Sequence, residues 1–364
     1  MHHQSVIRGG LRRLAIAQPV GCRRFATDAD LVEAKNYCIK QIAQSDRQAF
    51  LIRQFVPRPV QGVYDAIRTL NLELVRLPEA VSNPTIGQLR TQFWRESIDK
   101  TFAGNPPREP ICLVLRNALD ELEERSGPSA QKSLKFWISR LIKTRERHMT
   151  NRPFPSLSAL EDYAENTYST LMYATLAAIP MRSMQMDHLA SHIGKACGIT
   201  AVIRGIPILV APPPPTKSSG FDTLSRDPAL LLPLDVLAEC NVSEESVFRQ
   251  GPEAPGFRDA VFQVATRAND HLITAREMLK NLKAGQHAGH DYEHEGELEE
   301  HIYEDQGEDD VARDIRRAFG VLLEAVPAED FLLELQKRDF DPFAVRQGWK
   351  LPWRIWRALR KQEF

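Results

Sequence analysis

Eleven Asp or Glu lie between Asp291 and Asp310, and His287, His290, His294 and His301 sit in or beside the same stretch. Imidazole and carboxylate together are ligands for borderline divalent cations, so a metal centre is the first chemistry to weigh. The spacing opposes it. The ligands recur irregularly, Gly285, Gly289, Gly296 and Gly307 offer no fixed scaffold, and the like charges repel. No Lys or Arg occurs from Ala284 to Ala312, and residues 284–312 read as a disordered acidic insertion. Cys22, Cys38, Cys112, Cys197 and Cys240 are scattered without a C-x-x-C pair, which implies neither a zinc site nor a disulfide framework. That usage fits a reducing compartment.

Residues 347–364 suggest a different chemistry. Trp349, Trp353 and Trp356 alternate there with Lys350, Arg354, Arg357, Arg360 and Lys361. Pro352 is well placed to begin a helix. Such a helix puts Trp353, Trp356 and Leu359 on one face with basic residues around them, the make-up of an amphipathic helix that contacts an anionic membrane surface or a partner. The alternative is docking onto the rest of the chain with the basic side in water.

The elements that position these groups are helical. Apolar residues recur at three- and four-residue spacing over Asp28–Arg53, Val63–Leu77, Thr85–Phe102, Ile111–Glu124, Ser133–Thr150 and Ser156–Ile179. Pro78 and Pro106-Pro107 end two of these runs. Alternating β-branched runs are nearly absent, so the class is all-α. Pro212 to Pro215 forbid a helix, and Ser218, Ser219 and Gly220 make 211–228 a Pro-rich loop. No run of 18 apolar residues occurs, so no span across a membrane is expected. With 47 basic against 48 acidic residues, nothing points to nucleic acid as a partner.

Residues 1–27 stand apart. They contain no Asp or Glu before Asp28, and Arg8, Arg12, Arg13, Arg23 and Arg24 alternate with Val6, Ile7, Leu11, Leu14 and Ile16. This is the composition of a mitochondrial transit peptide. Arg23 lies two residues before Phe25, which predicts cleavage after Phe25 and a mature chain with a clear acidic excess.

In order along the chain, several stretches resemble the squalene/phytoene synthase superfamily. They are Tyr37-Cys38 with Ser45 to Phe50, then Val63 to Arg68, then Glu161 to Leu176 with Tyr163, Tyr168 and Tyr173. His192 to Arg204 and Leu232-Pro233-Leu234-Asp235 follow. The resemblance implies, over 28–346, a single prenyl-synthase-like helical bundle around a central cavity. The family's enzymes ionise an allylic diphosphate, whose charge must be bridged to protein carboxylates by Mg²⁺. Two Asp-x-x-x-Asp pairs on facing helices supply that cage, since residues four apart share a helix face.

Both pairs are missing here. After Arg68 the corresponding positions hold Asn71, Leu72 and Val75, with Glu73 on another face. The second motif becomes Gly198, Ala201, Arg204, Gly205 and Leu209. Asp187 lies too far before Gly194 to fill either gap. Arg68 and Arg204 sit where family members help to hold diphosphate. They are expected to pair with carboxylates such as Glu73 or Glu165, because an unpaired buried guanidinium is costly, with anion binding as the alternative. Tyr163 to Met186 are expected to be core rather than a ligand box.

Further stretches resemble a mitochondrial branch of the superfamily that lacks these carboxylates and assists the assembly of respiratory complex I. They are Asn71 to Leu74, Thr85 to Gly87 with Arg90 to Trp94 and Asn105 to Pro107, and Ser191 to Ala196. Asp330-Phe331, Asp339 to Asp341 and Phe343 complete the set. The resemblance implies a non-catalytic factor without a cofactor, working on complex I subunits or early membrane-arm intermediates at the matrix face of the inner membrane. An isoprenoid or lipid carrier and an active prenyl transferase with relocated ligands are the alternatives.

Overall fold

The computed structural model describes residues 27–80, 84–181, 183–211, 228–286, 308–346 and 348–364, and among them every regular element is helical. The first half comprises α1 (Asp28–Ser45), α2 (Arg47–Arg53), α3 (Gln61–Ala80), α4 (Pro84–Phe102), α5 (Pro110–Ser126), α6 (Pro128–Arg147), α7 (Leu157–Ala164) and α8 (Thr170–Leu176). The second comprises α9 (Met184–Val210), α10 (Leu234–Glu239), α11 (Glu244–Gln250), α12 (Phe257–Lys283), α13 (Glu308–Leu322), α14 (Ala325–Lys337) and α15 (Leu351–Lys361). The transit-peptide segment 1–26, with Phe25, lies outside the described residues, as do 212–227 of the Pro-rich loop and 287–307 of the acidic insertion. The last residues assigned to that insertion, Glu308 to Ala312, are instead the first turn of α13.

Thr27, placed at the end of the presequence by composition, is the N-cap of α1. Its hydroxyl accepts from Asp30 N–H at 3.2 Å, while Asp30 accepts from Thr27 N–H at 2.8 Å. Two orphan amides are thereby satisfied reciprocally. The run expected as one helix over 28–53 breaks at Asp46, whose backbone leaves the helical region (φ −137°, ψ 77°) and whose carboxylate caps α2 through Ala49 N–H at 2.9 Å. Pro78 does not end α3. Its ring fixes a helical φ, and the chain completes the turn to Ala80. The expected helix over 156–179 is interrupted by one π-helical turn, Glu165–Ser169, and stops at Leu176.

At the centre lies α9, packed by α7, the π turn, α8, α12, α13 and α14. It is long and apolar enough to cross a bilayer by length and composition, with a mean hydropathy of 1.6 over 18 residues. Its apolar side chains are distributed all round, as befits a helix surrounded by others. Two glycines allow the closest approach. A Cβ on Gly194 would lie 2.4 Å from Ser169 Cα, and one on Gly198 would lie 2.7 Å from Ala164 Cα. The backbone of α9 is therefore pressed directly onto α7 and the π turn.

Candidate functional site

A cavity of about 600 Å³ opens between α3, α9 and α14. From α3 it receives Arg68, Asn71, Leu72 and Val75, one face at the expected helical spacing; from α9 it receives Thr200 and Arg204. Asp330 and Phe331 of α14, and Phe343 beyond it, complete the far wall. All three belong to the stretches that the resemblance marks in the sequence. Gly198, Ala201, Gly205 and Leu209 do not line the cavity. They occupy a neighbouring face of α9, and Gly198 is spent on the contact with Ala164.

Arg68 is 5% exposed, yet it pairs with neither Glu73 nor Glu165. Its partner is Glu324, just before α14, with Asp46 3.9 Å away and the guanidinium 5.1 Å from the centre of the Tyr64 ring. Tyr64 O–H reaches both Ala49 C=O at 3.0 Å and Glu324 Oε1 at 3.3 Å. Burial pushes the Glu324 carboxyl above its ordinary range, against the pull of Arg68. Arg204 is exposed and donates to Gln48 Oε1. Glu165 is buried in the π turn and accepts from Tyr173 O–H at 2.6 Å and Ser191 O–H at 2.9 Å. Glu73 faces Arg76 on α3.

At Asn71, expected from the resemblance to replace an aspartate, the amide oxygen accepts from Arg145 Nε at 3.0 Å and Nη2 at 2.8 Å. Arg145, 8% exposed, also donates to Tyr163 O–H and stacks 5.8 Å from the centre of the Tyr168 ring. Sequence reading missed this guanidinium, which sits in a basic run on α6 with nothing to mark it. Glu324 left a fainter trace, being the one acid in the apolar run from Gly320 to Ala328.

The residues present do not fit the Mg²⁺ cluster that the fold family implies. Of the α3 and α9 residues that line the cavity, Asn71 and Thr200 supply only neutral side-chain oxygens, Leu72 and Val75 supply none, and a multi-ion cluster needs anionic ligands. Carboxylates do reach the cavity from other positions, but each faces a cation of the protein, two of them the same one. Asp46 and Glu324 face Arg68, Asp330 pairs with Arg354, and Glu334 with Arg338. Among the described residues no group of three His, Cys, Asp or Glu is arranged to hold a metal.

A second hollow, about 500 Å³, lies on the other side of α9. There His192 Nδ1 approaches His271 Nδ1 to 3.0 Å, and His271 Nε2 lies 2.7 Å from Glu161 Oε1, which also accepts from Arg267 at 2.6 Å. One proton serves the contact between the two rings, so they cannot both be doubly protonated without separating. Burial resists charge on Glu161, but the hydrogen bonds from His271 and Arg267 hold its carboxyl below the ordinary range.

At the carboxy terminus Pro352 lies in the first turn of α15, as expected. The helix docks through Leu351, Ile355 and Ala358, and Leu359, expected beside the indoles, also packs against the core. Arg354, expected on the contact surface, instead bonds to Glu329 at 3.0 Å and to Asp330. Trp349, Trp353 and Trp356 face outward, with Lys350, Arg357 and Arg360 around them.

The squalene/phytoene synthase family model matches residues 42–357, and the chain belongs to that family. Relatives include proteins named NADH dehydrogenase (ubiquinone) complex I, assembly factor 6, from Rattus norvegicus and Homo sapiens. They are 29% identical over 87% of this chain and 78% of theirs, and 27% identical over 85% and 75%. The Drosophila melanogaster homolog of that factor is 32% identical over 66% of this chain and 67% of its own. In fold the chain is similar to a dehydrosqualene synthase (TM-score 0.63, 10% identity, 92% of this chain and 98% of that one). A squalene synthase from Alicyclobacillus acidocaldarius is similar too (TM-score 0.60, 13% identity, 87% and 98%).

Proposed function

We propose that this protein is a non-catalytic assembly factor for mitochondrial respiratory complex I, acting on early membrane-arm intermediates at the matrix face of the inner membrane. The observation that carries the reading is the exchange of charge at the cavity. Asn71 serves Arg145, and the carboxylates that reach the cavity are committed to cations of the protein, so no anionic cage remains for a metal diphosphate. The names of the relatives supply the process. Import with trimming after Phe25 belongs to the same reading and leaves Thr27 in place to cap α1.

Cells lacking the protein should fail to build mature complex I on blue-native gels and should lose early membrane-arm intermediates, and the wild-type chain should restore both. Normal complex I in its absence would overturn the proposal. The matrix form should begin near Ala26 by amino-terminal sequencing. Purified protein should not condense farnesyl or geranylgeranyl diphosphate in the presence of Mg²⁺.

A second reading is that the cavity holds an isoprenoid or lipid without converting it. One observation favours it: Arg68 Nε is buried without a hydrogen-bond partner beside a cavity that Phe331 and Phe343 make partly apolar. Native mass spectrometry of the purified protein distinguishes a bound lipid from an empty cavity.

A further inference from the structure

Of the five tryptophans, Trp94 and Trp137 are 7% and 2% exposed, whereas Trp349, Trp353 and Trp356 are 81%, 58% and 48% exposed. Three large apolar rings held in water on and beside one short helix are a departure that calls for an occupant. The helix is not loosely attached. Leu351, Ile355 and Ala358 are buried, Arg354 pairs with Glu329 and Asp330, and Arg276 Nε donates to the terminal Phe364 C=O at 2.8 Å. The outward face is thus presented by a fixed scaffold.

The charges stacked on the rings are basic; of the two acids that share a hollow with Trp353 and Arg357, Glu329 is paired with Arg276 and Arg354, and Glu363 lies at the far end of the helix. Lys350, Arg357 and Arg360 make no ion pair among the described residues, and each lies 5.6 Å from an indole centre: Lys350 over Trp349, Arg357 over Trp353, Arg360 over Trp356. Cations and rings therefore alternate along the whole face, with no contiguous apolar patch apart from the charges. A protein partner would have to present acidic and apolar groups in the same alternation. A bilayer with acidic headgroups presents both everywhere, phosphate at the surface and hydrocarbon just beneath, and indole prefers the depth between them. Eleven residues make a helix of roughly 16 Å at 1.5 Å per residue, too short to span the membrane but suited to lie along it.

We infer that the outward face of α15 is a docking surface for an anionic lipid bilayer, inserting Trp353 and Trp356 at headgroup depth while Lys350, Arg357 and Arg360 engage acidic phospholipids. This deepens the inner-membrane placement proposed above and rests on it, but its test is independent of complex I.

The test mixes the full chain with vesicles carrying brominated acyl chains, one set with about a third acidic phospholipid and one wholly zwitterionic, and follows tryptophan emission. Because Trp94 and Trp137 are buried and no tryptophan precedes residue 94, quenching reports the three outward indoles and is blind to the basic amino-terminal segment. The acidic vesicles should quench and blue-shift the emission, with much weaker effects from zwitterionic vesicles or in high salt. Arg357→Gln with Arg360→Gln should weaken apparent vesicle affinity roughly 30-fold, the loss expected from two cations near an acidic surface. Lys132→Gln with Arg249→Gln, exposed positions on α6 and α11, should leave it unchanged. Trp353→Ala with Trp356→Ala should abolish co-sedimentation above the amino-terminal background, and Trp353→Phe with Trp356→Phe should retain part of it, which separates lost insertion from a lost fold. Absence of quenching by acidic vesicles would overturn the proposal, as would equal quenching by both lipids. So would a photo-crosslinker at position 349 that captures a discrete protein instead of lipid in intact mitochondria.

Discussion

The amide oxygen of Asn71 accepts two hydrogen bonds from the guanidinium of Arg145, 74 residues away, at 3.0 and 2.8 Å. A fixed cation thus stands beside the position at which the resemblance leads one to expect a metal-binding carboxylate. Asn71→Asp would therefore meet Arg145 before it met a metal. The expected outcome is an unchanged or slightly raised melting temperature, because a neutral acceptor becomes a charged one for the same donors. No Mg²⁺-dependent turnover of farnesyl diphosphate should appear, and its appearance in a radiometric assay would show that the cage needs less than the family pattern implies.

The pair formed by Arg68 and Glu324 is buried from both sides. Removing one member strands the other, so Glu324→Ala or Arg68→Ala should cost about 3–5 kcal/mol in urea unfolding. Replacing both with methionine should cost much less, since neither charge is then left unpaired. Equal losses in the single and double variants would mean that the paired charges themselves contribute net stability that hydrophobic packing does not replace.

Close approach at α9 gives a steric expectation. Gly198→Leu would drive its side chain into the backbone of Ala164, and Gly194→Leu would meet Ser169 in the π turn. Each should destabilise by roughly 1–3 kcal/mol or more through overpacking. Gly205→Leu, whose nearest neighbour is the flexible end of Leu209 at 3.7 Å, should be tolerated. Thermal melts of the three variants check the order.

Acid sensitivity follows from Glu161. Its folded carboxyl titrates below the ordinary value of 4.5, so its contribution to stability is present above that value and is lost as pH falls through the lower folded one. Glu161→Gln should therefore flatten the decline in melting temperature between about pH 5 and pH 3 relative to the wild type. An unchanged slope would assign the acid sensitivity to other carboxylates.

The amino-acid sequence by itself determined the helical class and the family, and it showed which residue types stand at the positions where the resemblance places carboxylates. Periodicity is local, and a residue type at a motif position is visible without coordinates. It also placed Arg68, Asn71, Leu72 and Val75 on one face of α3, because their spacing in a helix leaves no other arrangement. What it left open was the far partner of each polar group. Arg68 finds Glu324 across 256 residues rather than the neighbouring Glu73 or Glu165 of the π turn, a choice made by the way α14 returns to α3. Tertiary packing alone decided that α9 turns Gly198 toward α7 and Arg204 toward the cavity, since the inserted π turn and the absence of a Cβ set how closely these helices approach. In α15 the same division holds: composition supplied three indoles among five cations, but only docking through Leu351, Ile355 and Ala358 decided which of them stay in water and which one, Arg354, is consumed within the fold.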